Sequence, residues 1–365
     1  MEGTVQAMRV VRIINSLDFG GIERVFEITA QYYQGSKNNL IFISIGAGGA
    51  AEKFISSLGY RVIVINRRTR IPNMAIIWKL CLSLKKEKPD IVHTCGAEGN
   101  FHGLLAAWIV NVPVRIGEEI GMPSHSNVAK KIFGFIYGRS SVIIAVANSV
   151  GEYLIKNREV KPEKLRVVYN PVDVARFIDV KHIITDDFII LTVCRLHPIK
   201  NIKALVRVFI RLASKYPKIK LWLVGDGEER PALEKLVNDH ALGSRARFWG
   251  YQKEPATFLA KASVFVLPSF SEGHPVSMIE AMIAGVPVVA TNVGGAPEII
   301  VNDANGWLIN PLDDDDIHKR LEQVIHLPLP EKVVITTNAR RLVVDSFSAE
   351  SYLGKLDQLY KSLLK

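Results

Sequence analysis

Residues 264–290 read VFVLPSFSEGHPVSMIEAMIAGVPVVA and carry the alternation that decides the fold. The apolar run 264–267 predicts a buried strand, and a polar loop follows it as far as Pro275. Because proline is favoured in the first turn of a helix, we expect a helix to begin there, with another strand at 288–290. A strand, a helix and a strand in this order are typical of parallel sheets with crossover helices.

The same alternation runs through the whole chain. At 365 residues the chain is long enough for two α/β domains, and the pattern restarts near residue 170. The tail at 349–364 predicts one more amphipathic helix. Strands are predicted at 8–15, 39–45, 60–65, 91–94, 114–116, 142–147, 165–169, 188–193, 221–224, 247–249, 264–267 and 288–290.

The net charge of +10 lies almost entirely on the first half of the chain. Residues 1–170 carry 22 Lys and Arg against 13 Asp and Glu, whereas residues 171–365 carry 24 against 23. Phospholipid headgroups and polyprenyl phosphates are anionic partners for such a half. Nucleic acid is disfavoured, because no helix-turn-helix, zinc or RNA-recognition motif accompanies the charge. A basic solvated surface without a partner remains an open alternative.

The sequence predicts a soluble protein of the cytoplasm, or one that lies on the cytoplasmic face of a membrane. Arg9 and Arg12 interrupt the first apolar run, which is not typical of a signal peptide. The longest uncharged apolar run, at about 140–150, is shorter than the roughly 20 residues that span a bilayer. The three cysteines have no metal-site spacing and are predicted to be reduced thiols.

Two carboxylates flank the predicted loop-to-helix junction. Glu272 lies in the loop and Glu280 lies about a turn and a half into the helix. Backbone N–H groups at a helix N-terminus are free to bind an anion, and here they belong to Val276, Ser277 and Met278. This order suits a ligand made of a sugar, a pyrophosphate and a ribose. The alternatives are a solvated helix residue for Glu280 and a helix-cap neighbour for Glu272.

Two cations follow another predicted strand, in the segment Thr192-Val-Cys-Arg-Leu-His-Pro-Ile-Lys-Asn201. Arg195 and Lys200 are five residues apart in a loop at a strand's carboxyl end, which is where open parallel sheets bind ligands. A diphosphate carries charge on both phosphoryl groups and suits such a pair. Taken singly, each cation is better interpreted as surface charge.

The segment 272–291, EGHPVSMIEAMIAGVPVVAT, resembles the E-x7-E signature of the family 4 retaining glycosyltransferases. The resemblance extends to Gly294-Gly-Ala-Pro-Glu298 and to Gly20-Gly-Ile-Glu-Arg24, and it covers the chain from end to end. It implies the GT-B fold: two facing Rossmann-like domains with a central cleft. Residues 1–170 would bind the acceptor, residues 171–348 would bind a nucleotide-sugar, and the helix at 349–365 would pack back on the first domain.

By this resemblance, Glu280 would hold the ribose hydroxyls and Glu272 would hydrogen-bond the donor sugar. The backbone at Gly273 and His274, just before Pro275, would assist Glu272. Arg195 and Lys200 would bind the pyrophosphate and stabilise the departing nucleoside diphosphate in place of a metal ion. No cofactor is therefore expected. Cys194 departs from the family, where a glycine is common.

Further residues are expected to line the donor and acceptor sites. Glycine lets the backbone approach a ligand closely, which suits a phosphate-binding role after the first strand. For Gly20 and Gly21 the alternative is a plain turn. For His93 the alternative is a histidine buried in the core. The donor-side residues are Gly20, Gly21, Gly250 and Tyr251, and the acceptor-side candidates are His93, Glu98, Asn100 and His102.

The expected reaction is retaining transfer of a sugar, with UDP-sugars as the expected donors, to a hydroxyl of a lipid-linked or cell-envelope glycan. A nucleotide-sugar epimerase and a non-catalytic nucleotide-sugar sensor remain alternatives. An NAD-dependent enzyme is disfavoured, because Gly225-Asp-Gly227 lacks the third glycine of the dinucleotide fingerprint. The segment Lys130–Arg139 mixes cations and bulky apolar residues, which suits either a membrane surface or a buried helix with one charged end. The acidic run Asp313–Asp316 is interpreted as a helix start rather than a metal site.

Overall fold

The computed structural model describes residues 7–18, 20–36 and 38–364. These residues form two compact units. The first unit contains the described residues up to Pro171 together with those from Ala349 onward, and the second unit is Val172–Ser348. The sequence predicts this division after residue 170.

The first unit is built on a parallel sheet whose strand order is β3-β2-β1-β4-β5-β6-β7. In this sheet Arg12 lies in register beside His93, and Cys95 lies beside Glu118. The strands are β1 (Arg9–Ile14), β2 (Asn39–Ser44), β3 (Arg61–Val64), β4 (Ile91–Cys95), β5 (Val114–Glu119), β6 (Val142–Ala145) and β7 (Leu165–Val167).

Helices cover both faces of this sheet. From β1 to β3 the chain moves toward one edge of the sheet, and from β3 to β7 it moves toward the other edge. Because each crossover is right-handed, the helices of the two series lie on opposite faces. A π-helical stretch, Asn100–Leu104, joins the short helices Gly96–Gly99 and Leu105–Ile109. The helices are α1 (Gly21–Tyr32), α2 (Ala50–Ser57), α3 (Met74–Glu87), α4 (Gly96–Gly99), α5 (Leu105–Ile109), α6 (Asn127–Gly138), α7 (Asn148–Lys156) and α15 (Ala349–Leu363).

Two apolar layers result, one on each face of the first sheet. Side chains of α1, α2 and α15 pack against one face, and side chains of α3, α5, α6 and α7 pack against the other. The C-terminal helix α15 contributes Tyr352, Leu356 and Tyr360 to its layer. Every residue of β4 is buried, as expected for a parallel strand that is covered on both faces.

The second unit contains a six-stranded parallel sheet of order β10-β9-β8-β11-β12-β13. Its strands are β8 (Phe188–Val193), β9 (Ile219–Val224), β10 (Ala246–Gly250), β11 (Val264–Leu267), β12 (Val288–Thr291) and β13 (Trp307–Ile309). Its helices are α8 (Ala175–Ile178), α9 (Ile202–Lys215), α10 (Arg230–Asp239), α11 (Ala256–Leu259), α12 (Val276–Ile283), α13 (Asp314–Ile325) and α14 (Leu329–Phe347). The sequence prediction lacked β13, which has only three residues.

Each sheet has one point at which the direction of the connections reverses. In the first unit this point lies between β1 and β4, and in the second it lies between β8 and β11. In open α/β sheets ligands bind outside the carboxyl ends of the two strands at such a point. The loops after β8 and β11 are therefore the place to search for a site in the second unit.

Within the described part of the chain, no helix combines the length and apolar character needed to traverse a bilayer.

Candidate active site

The loops after β8 and β11 bring a cation and a carboxylate together. Lys200 Nζ lies 2.7 Å from Glu272 Oε1, although the two residues are 72 positions apart in the chain. The Glu272 side chain is 8% exposed and that of Lys200 is 18% exposed. A charge-assisted hydrogen bond at this depth is stronger than one at the surface, because little water screens it. Arg195, from the loop after β8, is exposed.

Asn201 links the loop after β8 to the loop after β11 by hydrogen bonds. Its side-chain amide donates to Pro268 O at 3.1 Å and to Pro311 O at 2.7 Å. Asn201 has φ of 54°, a left-handed conformation that asparagine tolerates better than most residues. The backbone N–H of Phe270 also donates to Ile199 O. The positions of Lys200 and Glu272 are thus fixed by backbone as well as by their own ion pair.

A third loop, after β12, lies against the backbone of Glu272. The Gly295 N–H donates to Gly273 O at 3.0 Å. Gly294 has φ of +62°, and a Cβ added there would lie 1.7 Å from Glu272 O. Only glycine fits this position, because a side chain would both strain the backbone and collide with a main-chain oxygen.

We therefore expect Gly294→Ala to displace the loop that carries Glu272. The backbone conformation alone costs about 1–2 kcal/mol for a residue with a Cβ, and the collision adds to this cost. The midpoint of thermal unfolding should fall by several degrees. Gly354→Ala is the matched control, since its Cβ would meet nothing within 4 Å and Gly354 lies in the helix α15. An equal effect of both substitutions would contradict this account of Gly294.

The turn after β9 also packs against the loop after β8. Gly225 has φ of +130°, and a Cβ there would lie 1.8 Å from Cys194 O. Cys194 is half-buried beside this turn, and desolvation raises the pKa of its thiol to about 11. The Gly225 N–H donates to Gly250 O, which brings the predicted residues Gly250 and Tyr251 beside the same turn. Tyr251 is exposed at this edge.

The helix that carries Glu280 begins one residue after Pro275, as the sequence predicts. Glu280 is half-buried on α12. The expectation that the first amides of this helix are free is wrong for two of them. The Val276 N–H donates to His274 O and the Met278 N–H donates to Pro275 O, because the chain makes a tight turn before the helix. Ser277 lies between them and is half-buried.

His274 is packed into the second unit rather than exposed. Its ring lies 5.0 Å from that of Phe347, and burial lowers its pKa to about 3, so the imidazole is neutral. The acidic run is a helix start, as predicted: the Asp313 side chain accepts hydrogen bonds from Asp315 N and Asp316 N and caps α13. Among the described residues, no group of three His, Cys, Asp or Glu side chains is close enough to hold a metal ion.

In the first unit, the predicted glycines lie at the reversal point between β1 and β4. Gly20 is the N-cap of α1 and Gly21 is its first residue. Glu98, in α4 after β4, is half-buried. Both segments lie at the carboxyl edge of the sheet, which agrees with a ligand-binding position.

The other three acceptor-side candidates lie inside the first unit. His93 is fully buried; its Nδ1 is 2.7 Å from the Tyr360 hydroxyl and its Nε2 is 3.2 Å from Glu118 Oε2. Burial lowers the pKa of His93, and the nearby charge of Arg12 lowers it further. His93 therefore joins α15 to the sheet and does not face an acceptor.

Asn100 and His102 are also occupied by hydrogen bonds within the first unit. The Asn100 amide donates to Glu118 O at 3.0 Å and to Glu119 Oε1 at 3.1 Å. His102 Nδ1 is 2.8 Å from Glu98 O, and its Nε2 accepts from Asn73 N at 3.2 Å, which fixes the tautomer. Both side chains are fully buried, so the expectation that they contact an acceptor is wrong for them.

The structure adds one candidate site residue in the first unit that the sequence analysis missed. His125 lies in the loop between β5 and α6, and its Nδ1 is 2.7 Å from Glu159 Oε2. Burial alone would lower the pKa of His125, but its hydrogen bond to Glu159 and the charge of that carboxylate raise it. The ring stacks on Phe133 at 4.2 Å. The only sequence signal is a histidine in the loop after a strand.

Comparison with known families accounts for nearly the whole chain. Residues 19–176 match the family described as Glycosyltransferase Family 4, and residues 174–342 match the family described as Glycosyl transferases group 1. The two matches meet at the division between the two units.

Similar proteins belong to the same group. One is the UDP-Gal:alpha-D-GlcNAc-diphosphoundecaprenol alpha-1,3-galactosyltransferase of Escherichia coli, 29% identical over 80% of each chain. The capsular polysaccharide biosynthesis glycosyltransferase CapM of Staphylococcus aureus is 24% identical over 90% of this chain and 91% of CapM. Among solved structures, Anabaena HepE in complex with UDP has a TM-score of 0.84 at 20% identity, covering 97% of this chain and 100% of HepE.

Fold, motifs and relatives agree. Both sheets are the Rossmann-like sheets of the GT-B fold, and the site loops at the β8/β11 reversal point carry the E-x7-E pair and the two cations. The chain belongs to glycosyltransferase family 4, the group 1 glycosyl transferases, and is a glycosyltransferase.

Proposed function

We propose that this glycosyltransferase uses a UDP-sugar as its donor and binds it in the loops after β8 and β11. The observation that carries the proposal is the 2.7 Å contact between Lys200 and Glu272, which joins the cation loop to the carboxylate loop. A cation beside a carboxylate suits a ligand whose diphosphate and sugar are neighbours. UDP and UDP-galactose appear in the names of HepE's complex and of the E. coli relative, which supports uracil as the base.

In the proposed mechanism Arg195 and Lys200 bind the diphosphate and stabilise the negative charge that develops on the departing UDP. Glu272 hydrogen-bonds the sugar hydroxyls, and Glu280 holds the ribose. Lys200 then has two partners in turn: Glu272 in the absence of donor, and a phosphate oxygen when the donor is bound. Preorganised cations of this kind supply the charge that a metal ion supplies elsewhere, so transfer is proposed to be independent of metal.

The stereochemical course that we propose is retention. The acceptor hydroxyl attacks the anomeric carbon on the side from which the diphosphate leaves. The bond from that carbon to the β-phosphate oxygen breaks, the bond to the acceptor oxygen forms, and the acceptor's proton goes to the β-phosphate. Glu272 orients the sugar in this scheme and forms no covalent bond.

We propose a lipid-linked or cell-envelope glycan as the acceptor and the cytoplasmic face of an anionic membrane as the place of reaction. The names of the E. coli and S. aureus relatives, which specify a diphosphoundecaprenol acceptor and capsular polysaccharide, support this proposal. The excess of Lys and Arg over Asp and Glu in residues 1–170 agrees with an anionic surface.

Transfer assays test this function. UDP-, GDP- and ADP-sugars are offered with a short-chain polyprenyl-diphosphate-linked GlcNAc acceptor, and products are identified by mass and by the anomeric coupling constant in proton NMR. We expect an α-glycoside from an α-linked UDP-sugar. A β-glycoside would overturn retention, and an epimerised nucleotide-sugar without glycoside would replace the transferase with an epimerase.

Metal removal should leave the rate unchanged. The chelator is EDTA at about 5 mM, which exceeds trace metal. We expect the rate of transfer to match the rate without chelator within about twofold, because the cations of the site are side chains. The readout is the initial rate of UDP release. Loss of activity in EDTA that Mg²⁺ or Mn²⁺ restores would contradict the proposed role of Arg195 and Lys200.

A further inference from the structure

The outer face of three neighbouring helices in the first unit is apolar. On α3 the exposed residues Met74, Trp78 and Leu82 are spaced by four and therefore form one stripe. Trp78 is 63% exposed. A tryptophan and a methionine so exposed on one stripe are unusual for a surface that faces only water.

The apolar stripe on α3 continues across α5 and α6. Trp108 and Ile109 on α5 are exposed, as are Val128, Ile132 and Phe135 on α6. Cys81 Sγ on α3 lies 3.8 Å from the α5 carbonyl of Ala106, and the ring of Trp108 lies 6.3 Å from that of Phe135. The docking face is defined here as Met74, Trp78, Leu82, Trp108, Ile109, Val128, Ile132 and Phe135.

Cations border the docking face, and the three helices that form it carry no exposed carboxylate. Arg67, Arg68 and Arg70 are exposed in the loop that leads into α3, and Lys85 and Lys86 are exposed at its other end. On α6, Lys131 is exposed and Lys130 donates to Asn157; just after α6, the Arg139 guanidinium lies over the Phe135 ring. Across α3, α5 and α6, all of which the structure describes, the one acidic residue is Glu87, which is buried and paired with Arg61.

This combination decides the kind of partner. Exposed tryptophans with aliphatic side chains and a border of Lys and Arg suit the interface of an anionic bilayer, where aromatic rings lie at headgroup depth and cations bind phosphates. A second copy of the chain fits less well, because two-fold pairing of this face would bring the same cations together. The three helices, all of them described, expose no carboxylate that would repel anionic lipid.

We propose that the docking face rests on an anionic lipid surface, an inference that rests on the membrane contact within the proposed function and identifies the residues that make it. The helices α3 and α6 both begin at the carboxyl edge of the first sheet, because each follows a strand of that sheet. Docking through them brings this edge, with Gly20, Gly21 and Glu98, close to the headgroups. The helix α6 that the sequence singles out is then one of three contacting helices.

The test uses the full chain and vesicles of dioleoylphosphatidylcholine with or without about a third of dioleoylphosphatidylglycerol, a fraction that gives a strongly anionic surface. Binding is measured by co-sedimentation. We expect the triple variant Trp78→Ser, Ile132→Ser, Phe135→Ser to bind the anionic vesicles at least about tenfold more weakly than the parent protein. Because all three side chains are at least about two-fifths exposed, the variant should remain folded at the assay temperature, which its thermal unfolding checks.

The matched control makes the same number of apolar-to-serine changes on the second unit: Val301→Ser, Leu312→Ser and Val334→Ser, all exposed. This control should bind like the parent. A separate charge variant, Lys85→Gln, Lys86→Gln, Lys131→Gln, should lose the preference for anionic over neutral vesicles. If lipid brominated near the headgroup quenches the tryptophan fluorescence of the bound parent protein, the exposed tryptophans lie at the interface.

Several outcomes would overturn the proposal. The parent protein could fail to bind anionic vesicles, or the triple variant could bind as tightly as the control. If light scattering finds a dimer that the triple variant converts to a monomer, the docking face belongs to a second copy. Stabilisation by UDP, measured on the same samples, separates the two claims: its absence with intact vesicle binding refutes the proposed donor and leaves the docking face standing.

Discussion

Replacing Lys200 with methionine is expected to lower the turnover number for sugar transfer by a factor of about 100 to 1,000. Methionine keeps much of the length of the side chain and removes its charge. The departing diphosphate then loses a preorganised cation in a site that is largely shielded from water, where such a group has its greatest effect. Initial rates of UDP release at saturating donor measure the change.

Lys203→Met is the matched control, since Lys203 is an exposed lysine only three residues further along, on α9. It should keep the parent rate within about twofold, as expected for an exposed charge. The double variant Lys200→Met, Glu272→Gln separates pairing from catalysis. If Lys200 served only to neutralise Glu272, this double variant would transfer as fast as Glu272→Gln alone; we expect it to be slower than that single variant.

Arg12→Met is expected to lower the free energy of unfolding by about 3–5 kcal/mol. Arg12 is fully buried on β1, and its Nη2 lies 3.1 Å from Glu118 Oε2. Its Nη1 donates to Thr29 Oγ1 at 3.1 Å and lies 3.4 Å from the Tyr352 hydroxyl of α15. Removing the cation leaves Glu118 charged and buried without its guanidinium partner, which is the costly event. Urea unfolding, followed by circular dichroism, measures it.

The pair of substitutions Arg12→Met and Glu118→Leu provides the control. Removing both charges leaves no uncompensated ion in the core, so the double variant should be more stable than Arg12→Met alone by at least about 1–2 kcal/mol. Equal stability of the two variants would mean that the charge pair is not what holds β1, β5 and α15 together. Arg9→Met tests an exposed cation of the same strand, whose Nη1 donates to Glu87 O; loss of this hydrogen bond should cost about 0.5–1.5 kcal/mol, less than Arg12→Met.

Most of the fold could be predicted because the strands of a parallel sheet are continuous apolar runs separated by helices. The predicted segments 188–193 and 264–267 coincide with β8 and β11. β13 escaped prediction because Trp-Leu-Ile is too short for a periodic pattern, and only its pairing with β12 makes it a strand.

The candidate site could be predicted where its signals are local. Glu272 and Glu280 lie on one loop and helix, and Arg195 and Lys200 lie on one loop, so each pair is visible in a short segment. Their meeting could not be predicted from spacing. It depends on β8 and β11 being neighbours in the sheet, which is a property of the whole unit.

The acceptor-side histidine shows where sequence reasoning fails. In a parallel strand that is covered on both faces no alternation distinguishes a core position from one that faces a ligand. His93 looks like a polar residue near a strand end, and its partners Glu118 and Tyr360 are remote in the chain. Arg12 is a similar case: the sequence shows only a cation that interrupts the first apolar run, yet the side chain is fully buried in the first unit.

The most direct measurement of the central claim is equilibrium binding of UDP, GDP and ADP to the purified protein by calorimetry, in EDTA, with the parent chain and with Lys200→Ala and Glu280→Ala. We predict that UDP binds without metal, that GDP and ADP bind at least about tenfold more weakly, and that both variants lose UDP affinity. Tight UDP binding that neither substitution changes would contradict the assignment of the donor to the loops after β8 and β11.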